Sequence, residues 1–190
     1  MDWILSHPVT VLLLGGAATL GLTWLGLHRE QPRLLLAACV IACLSGILGL
    51  AAWWIDTPAE LGERAVMSLI DRAVAGDPAG ASAWIAPEAV IHFGGFDRPA
   101  LDRREIDRDL QSLCNRHRVE SHVNSSLRAV TVGPDQALVE VACLTRTASS
   151  PGHVATTWSF RVRRDPDGVW RVHALSFDRL FGSEPRPGIF

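Results

Sequence analysis

Residues 165–180 read DPDGVWRVHALSFDRL, a turn signal followed by side chains of alternating character. Pro and Gly in the first four positions are typical of a tight turn, and the period of two that follows indicates a strand over about 169–178. Three further runs of the same period precede it: 119–132, 136–147 and 154–164. Because only short turns such as Gly133-Pro134-Asp135 separate these runs, the pattern predicts an antiparallel meander.

The region before the meander has the period of a helix. Thr57-Pro58-Ala59-Glu60 is a capping box, and the apolar positions from Leu61 to Ala73 follow helical spacing. We expect a shorter second helix from Asp77 to about Pro87 that includes Trp84, a strand over 89–93 and a third helix from about Asp102. Since helices and strands are segregated along the chain, the fold class is α+β, with helices covering one face of a curved sheet.

Two apolar stretches precede this domain, at 8–27 and 34–55, and neither contains a charged residue. Each is long enough to cross the hydrocarbon core of a bilayer, which takes about 20 residues in a helix. The linker at 28–33 is so short that the two helices must form an antiparallel hairpin. Its Arg29 and Arg33 predict a cytoplasmic linker with both termini outside. Without a charge in either span, the hairpin is expected to anchor and not to transport.

Small residues recur every four positions in both stretches: Ala38, Ala42 and Gly46, with Ala17 and Gly21. Such spacing allows helix backbones to approach closely. We expect it to pack the hairpin internally, with contact to a partner helix as the alternative.

Composition limits the function classes. The formal net charge is -2 and the sequence pI is about 6.4, so nucleic acid is not an expected partner.

The apolar stretches and the element pattern together divide the chain into three parts: 1–55 for the transmembrane hairpin, 56–181 for the α+β domain and 182–190 for a C-terminal tail. Cys114 and Cys143 lie in the α+β domain and could form a disulfide if that domain is exported, although the sequence does not favour this pairing.

The element order, the Trp-containing second helix, FDRPALDRREIDRDL at 96–110 and the closing run at 165–180 resemble the nuclear transport factor 2-like superfamily, which includes SnoaL-like proteins with a cystatin-like cone. The resemblance implies a cone of three helices packed on a curved, mostly antiparallel sheet. It also implies that the outer sheet face forms dimers in many members. Some members are membrane-anchored assembly proteins of bacterial secretion systems, which implies a bacterial inner membrane with the cone on the periplasmic side.

Strand alternation assigns each side chain to a face. The apolar set is expected to line any pocket in the cone: Trp84, Val141, Cys143, Trp158, Phe160 and Val172. The mixed set is expected to form a partner surface on the outer face: Leu144, Arg161, Arg163, His173, Leu175 and Phe177. Cover of this face by the tail is the alternative.

An enzyme of this superfamily needs acid–base groups in the cone. The chain has no Tyr, which excludes a ketosteroid isomerase-type oxyanion site. The weak candidates are His92, His122 and Asp178. Asp107-Arg108-Asp109 is expected to be a solvated helix face, and no pattern indicates a cofactor or a metal.

Two functions follow from these observations. The favoured one is a non-catalytic binding or assembly module, held at the outer face of the inner membrane, that contacts a membrane or periplasmic protein or a second copy of itself. The alternative is a cone-pocket enzyme or carrier, dehydratase- or isomerase-like, for a lipophilic small molecule.

Overall fold

The structure, a computed structural model, describes residues 8–54, 56–116, 118–150, 152–183 and 185. The chain divides into two units, Met1–Thr57 and Pro58–Phe190, of which the first holds two apolar helices and the second the sheet. Most of the tail predicted at 182–190 lies outside the described residues.

The first unit is a pair of antiparallel helices, α1 (Pro8–His28) and α2 (Pro32–Trp54). Glycines bring them together. A Cβ atom on Gly49 would lie 2.7 Å from the side chain of Leu12, and one on Gly15 would overlap Ser45. Leu12 meets Gly49 and Gly15 meets Ser45, so the contacts run in opposite order along the two helices. The helices therefore pack against each other as an antiparallel hairpin, as predicted.

The small residues that carry this packing differ from the predicted ones. Ala38 is buried, but a Cβ atom on Gly21 or Gly46 would meet no atom within 4 Å, and Ala17 and Ala42 are exposed. Residues spaced by four drift about 40° around a helix at each step. Residues at a strict spacing of four therefore turn away from the partner helix. Residues spaced alternately by three and four stay on the contacting side.

Among the described residues, one helical segment meets the length and apolarity that a membrane span requires. It is Pro32–Leu50, with 19 residues, a mean hydropathy of 2.2 and 11% of its most apolar window buried. The apolar segment Leu12–His28 is shorter. Core helices of soluble proteins and signal sequences also pass this test of length and composition, so the two-span anchor stays a prediction.

The second unit is built on a mixed sheet of six strands. Their bounds are Ile85–Phe93 (β1), Ala100–Leu101 (β2), Val119–Gly133 (β3), Gln136–Thr147 (β4), Val154–Arg164 (β5) and Trp170–Leu180 (β6). The order across the sheet is β2-β1-β6-β5-β4-β3; β1 runs parallel to β6, and all other neighbours are antiparallel. The predicted meander is confirmed as β3 to β6.

Three helices complete this unit: α3 (Pro58–Val74), α4 (Pro78–Ser82) and α5 (Arg103–Arg116). One stripe of α3 is buried, formed by Gly62, Ala65, Val66 and Leu69. Gly62 lies directly over the sheet, where an added Cβ atom would come 2.6 Å from Ala137 Cβ. The face that α3 covers is called the inner face below, and the opposite side is called the outer face.

The second helix is shorter and the first strand longer than predicted. Asp77 caps α4 by accepting a hydrogen bond from Gly80 N–H at 2.8 Å, but the helix ends at Ser82 and excludes Trp84. Trp84 instead accepts a bond from Val172 N–H at 2.9 Å, and β1 begins at Ile85. Pro87 lies where the β1–β6 register shifts, a position that tolerates a residue without an N–H.

The face assignment of Leu175 and Phe177 was wrong. The register between β5 and β6 shifts after Arg161, so that Leu175 pairs with Phe160 and Phe177 with Trp158. One extra residue on β6 reverses the side chains that follow it, up to a second register shift between Phe177 and Arg179. Leu175 and Phe177 therefore point inward and are 5% and 0% exposed, whereas the predicted alternation placed them on the outer face.

Candidate functional site

Two of the three catalytic candidates lie on the outer face. His92 pairs with Ser176 across the parallel strands β1 and β6, and Ser176 pairs with Ser159 on β5. Asp178 accepts hydrogen bonds from both serine hydroxyls, each at 2.5 Å. His92 Nδ1 lies 2.8 Å from the Arg98 carbonyl, so His92 and Asp178 both have hydrogen-bond partners within the chain.

The third candidate, His122, lies on the inner face. Its Nε2–H donates to Asn124 Oδ1 at 2.9 Å, because the Asn124 amide nitrogen is directed at Met67 Sδ, 3.5 Å away. Its Nδ1 then accepts from the Thr145 hydroxyl, also at 2.9 Å. A ring with both nitrogens occupied in this way is held in one orientation. The sheet therefore separates His122 from His92 and Asp178.

A second polar group lies beside His122 on the inner face. The hydroxyl of Thr156 is 3.0 Å from Cys143 Sγ and accepts from Trp158 Nε1–H at 3.1 Å. The Trp158 ring stacks on Phe177, with centroids 4.3 Å apart. This end of the inner face thus combines an aromatic stack with hydroxyl, thiol and imidazole groups, a combination that suits a mainly apolar ligand with a few polar atoms.

The predicted pocket residues are mostly core residues. The side chains of Val141, Cys143, Phe160 and Val172 are buried, while Trp84 and Trp158 are partly exposed. Two surface grooves of about 440 and 640 Å³ occur at the opposite end of the sheet, around the β5–β6 turn, and none of the six predicted residues lines either. The pocket role of these six residues stays a prediction.

A network of ionisable groups surrounds that turn. Asp165 accepts from Arg171 Nη1 at 2.7 Å and from His173 Nε2 at 2.6 Å, and Arg171 Nη1 is also 2.8 Å from Asp167. Burial alone would raise the pKa of Asp165, but the hydrogen bonds and charges of Arg171 and His173 outweigh it and hold that pKa below its ordinary value. Glu88 extends the network, 3.0 Å from His173 Nδ1. His173, predicted as a partner residue, is thus engaged within the chain.

Three members of this network, Glu88, Asp165 and His173, offer ligand atoms within 4.8 Å of one another. Two guanidinium groups already contact two of these residues: Arg171 contacts Asp165, and Arg163 Nη2 lies 3.2 Å from His173 Nδ1. A cation placed there would compete with two fixed positive charges, so the arrangement favours an ion-pair network over a metal centre.

Most of the arginines on β4, β5 and β6 lie close to a carboxylate. Carboxylates lie at 3.0 Å from Arg146, 3.4 Å from Arg163, 4.0 Å from Arg164 and 2.7 Å from Arg171. Arg161 instead places its guanidinium carbon 4.1 Å from the centre of the Phe96 ring. Paired charges of this kind give little attraction for anionic lipid.

A segment of the chain itself covers part of the outer face. Phe96 meets the His92 ring edge-on, with centroids 5.5 Å apart, and contacts Arg161 on the other side of β6. It therefore crosses β6, whose outer residues Ala174 and Ser176 are 8% and 0% exposed. We call residues 94–99 the Phe96 flap. It occupies the part of the outer face that the alternation assigned to a partner.

Asp109 is a residue that the sequence interpretation misjudged. Its side chain is only 21% exposed, and burial raises its pKa, an effect that the nearby Arg108 guanidinium offsets in part. It follows the buried Ile106 by three positions and so lies on the packed stripe of α5. That spacing was the signal that could have identified it.

Cys114 and Cys143 are both free thiols. Cys114 Sγ donates to the Ala73 carbonyl at 3.6 Å, and burial, together with the charge of Asp77, raises its pKa. Cys143 bonds Thr156 on the sheet, so the two cysteines have separate partners.

Asp165→Asn tests the turn network. Because the pKa of Asp165 is lowered in the folded chain, its ionised form stabilises the fold above about pH 4 and this contribution is lost as pH falls through the folded value. We expect Asp165→Asn to lower the free energy of unfolding by about 1–3 kcal/mol at pH 7 and by less at pH 3. Denaturant unfolding at both pH values measures this. Asp135→Asn, at an exposed pair, is the control, and an equal loss at both pH values would contradict the assignment.

No family model and no curated protein matches the sequence, so the comparisons rest on structure. A ketosteroid isomerase-like protein from Erwinia carotovora atroseptica is 17% identical, with a TM-score of 0.53 over 70% of this chain and 100% of its own. A candidate ketosteroid isomerase from Shewanella frigidimarina is 14% identical, with a TM-score of 0.52 over 64% and 95%. A candidate scytalone dehydratase from Novosphingobium aromaticivorans is 17% identical, with a TM-score of 0.50 over 62% and 80%.

Identities this low indicate a common fold and leave activity open. The helices and the mixed sheet of the second unit agree with the α+β fold expected from residues 96–110 and 165–180. The second unit therefore shares the α+β fold of these three solved structures.

Proposed function

We propose that this protein is a membrane-anchored binding or assembly module, in which the hairpin holds the cone at a bilayer and the cone contacts another protein. The observation that carries the proposal is the separation of the candidate proton-transfer groups: His92 and Asp178 are on the outer face and His122 is on the inner face. Acid–base catalysis needs such groups within reach of one substrate.

The anchor part of the proposal comprises two spans in a bacterial inner membrane, with both termini on the periplasmic side. The apolar segment Pro32–Leu50 in α2 supports one span. The antiparallel packing of α1 along α2 supports α1 as the other span. Arg29 and Arg33 favour a cytoplasmic turn. An alkaline-phosphatase fusion at the C-terminus tests the orientation, and an inactive fusion would reverse it.

Purification of the full chain in mild detergent tests the binding role. We expect a protein partner in stoichiometric amount. Leu144→Asp places a charge at a 39% exposed position on the outer face. It should reduce the amount of copurified partner at least about tenfold, since an unpaired charge in an interface costs several kcal/mol. His122→Ala, on the inner face, is the matched control and should leave recovery unchanged.

The alternative is a cone-pocket enzyme or carrier for a lipophilic small molecule. The group of His122, Cys143, Thr156 and Trp158 favours it, as do neighbours described as isomerase-like or as a candidate dehydratase. In that case a small molecule copurifies with the wild-type chain, His122→Ala removes it, and Leu144→Asp has no effect. That pattern would replace the binding proposal.

A further inference from the structure

Strand β3 forms one edge of the sheet and is long for an edge strand. At the opposite edge, β2 has only two residues, Ala100–Leu101, whereas β3 has 15. Edge strands of soluble proteins are usually short, or they carry charges and Pro that prevent further pairing. Residues 119–133 contain no Pro and only two charged residues, Glu120 and Arg128. The edge at β3 therefore lacks the usual protection along most of its length.

Bulges divide this edge and leave one regular stretch. The β3–β4 register shifts between Asn124 and Ser126 and again between Thr131 and Gly133, each time with an extra residue on β3. Between the two shifts, residues 126–131 pair with β4 in unbroken register. Six residues of strand span about 20 Å, the length of a typical strand. We call residues 126–131 the β3 edge segment.

The hydrogen bonds of β4 show which of its backbone groups are directed toward β3. The Arg164 N–H donates to the Asp135 carbonyl at 3.0 Å. Because backbone groups alternate between the two sides of an antiparallel strand, Asp135 and every second residue after it face β5. The residues between them, such as Ala142, face β3. The hydroxyl of Ser125 agrees with this assignment, since it donates to the Ala142 carbonyl at 3.0 Å.

Three residues of the β3 edge segment direct their backbone groups away from β4. They are Leu127, Ala129 and Thr131, because each pairs with a β4 residue that faces β5. No described strand lies on that side of β3, so their N–H and C=O groups form an open row. The row repeats every second residue, or about 7 Å, which is the repeat of any extended backbone. Main-chain hydrogen bonds to such a row are the basis of β-strand addition.

We propose that the β3 edge segment binds an extended segment of a different protein as an additional strand. The inference rests on the proposed function and specifies how the cone holds its partner. The added strand is about six residues long and mainly apolar, because it lies beside Leu127 and Val130, which are 36% and 42% exposed. A second copy of β3 fits less well. Antiparallel pairing about Ala129 would set its Val132 bulge beside the Ser125 bulge of the first copy.

Amide hydrogen exchange at single-residue resolution tests this mode of contact. The full chain, purified in mild detergent with its copurified protein, is compared with the same chain after that protein has been removed. The amides of Leu127, Ala129 and Thr131 should exchange at least about tenfold more slowly in the complex, because each gains a hydrogen bond. The amides of Arg128 and Val130, which face β4, should be slow in both states. A partner that lies on a face of the sheet would not produce this alternation.

Ala129→Pro tests the same contact by removing one outward N–H. Pro is tolerated on an edge strand when its nitrogen faces away from the sheet, and denaturant unfolding checks that the variant folds. Ala129→Pro should reduce the amount of copurified protein at least about tenfold, because one main-chain bond is lost and the ring blocks its neighbours. Ala129→Val keeps the N–H and is the matched control, which should retain the partner. If Ala129→Pro does not fold, the exchange pattern of the wild-type chain decides alone.

Three results would overturn the inference: a partner that stays bound to folded Ala129→Pro, slowed exchange without alternation, or alternating protection in the chain alone that disappears on dilution. The last result would assign the edge to a second copy. If Leu144→Asp releases a partner that folded Ala129→Pro retains, only the inference fails and the proposed function stands. A chain that retains a small molecule and no protein overturns both.

Discussion

Phe177→Ala is expected to lower the free energy of unfolding by about 3–5 kcal/mol. The side chain is fully buried, stacks on Trp158 at 4.3 Å and meets Phe93 edge-on, with centroids 6.3 Å apart. Removing the ring leaves a cavity that the rigid sheet cannot close, and it removes two aromatic contacts. Denaturant unfolding of the full chain in detergent, followed by tryptophan fluorescence, measures the loss.

Val132→Ala provides the contrast for this prediction. Val132 is apolar and on the same sheet, but it is 63% exposed, so we expect a change below about 1 kcal/mol. If Phe177→Ala cost as little as Val132→Ala, the inward position of Phe177 would be wrong. The original alternation, with Phe177 on the outer face, would then be correct.

Gly62→Val is the second large prediction, with an expected loss of about 2–3 kcal/mol. Its Cβ atom would lie 2.6 Å from Ala137 Cβ, and its two methyl groups would have to enter the space beside Val139 and Val162. Because these neighbours are attached directly to the sheet backbone, α3 must move outward to make room. The higher helix propensity of Val relative to Gly offsets only a few tenths of a kcal/mol.

A glycine in open space is the control for this change. A Cβ atom on Gly152 would meet no atom within 4 Å, and Gly152→Ala should change the free energy of unfolding by less than about 0.5 kcal/mol. Gly62→Ala should fall between the two, because it adds the close Cβ contact without the methyl groups. A stable Gly62→Val chain would mean that α3 packs further from the sheet than the structure places it.

Alternation along a strand predicts the buried face correctly on β4 but only in part on β6. On β4 the period of two is unbroken, and Ala137, Val139, Val141 and Cys143 are buried as a set, as the pattern predicted. On β6 the register shifts after Val172 and again after Phe177, so the pattern was correct up to Val172 and reversed from Ala174 to Phe177. No residue type in this run signals a bulge, since bulged positions accept ordinary side chains.

The candidate site was predictable only in part for the same reason. The sequence identified His92, His122 and Asp178 as polar residues on strands. Whether they lie on the same face of the sheet depends on how β1, β3 and β6 are paired. The parallel pairing of β1 with β6 is a long-range contact that a local pattern does not contain. The ion-pair network of Asp165, Arg171 and His173 likewise brings together a turn and a strand, and Glu88 joins it from β1.

The run at 165–180 was by itself enough to determine a tight turn followed by a strand, because Pro and Gly limit the backbone and the period of two is local. The α+β class and the strand meander followed in the same way, as did the helix start at Pro58. Tertiary structure alone decided the faces of Leu175 and Phe177, the cover provided by Phe96 and the exposure of apolar side chains such as Val123, Val130 and Leu144 on β3 and β4. Each of these depends on register and packing between segments distant in the chain, and register is set by the whole sheet.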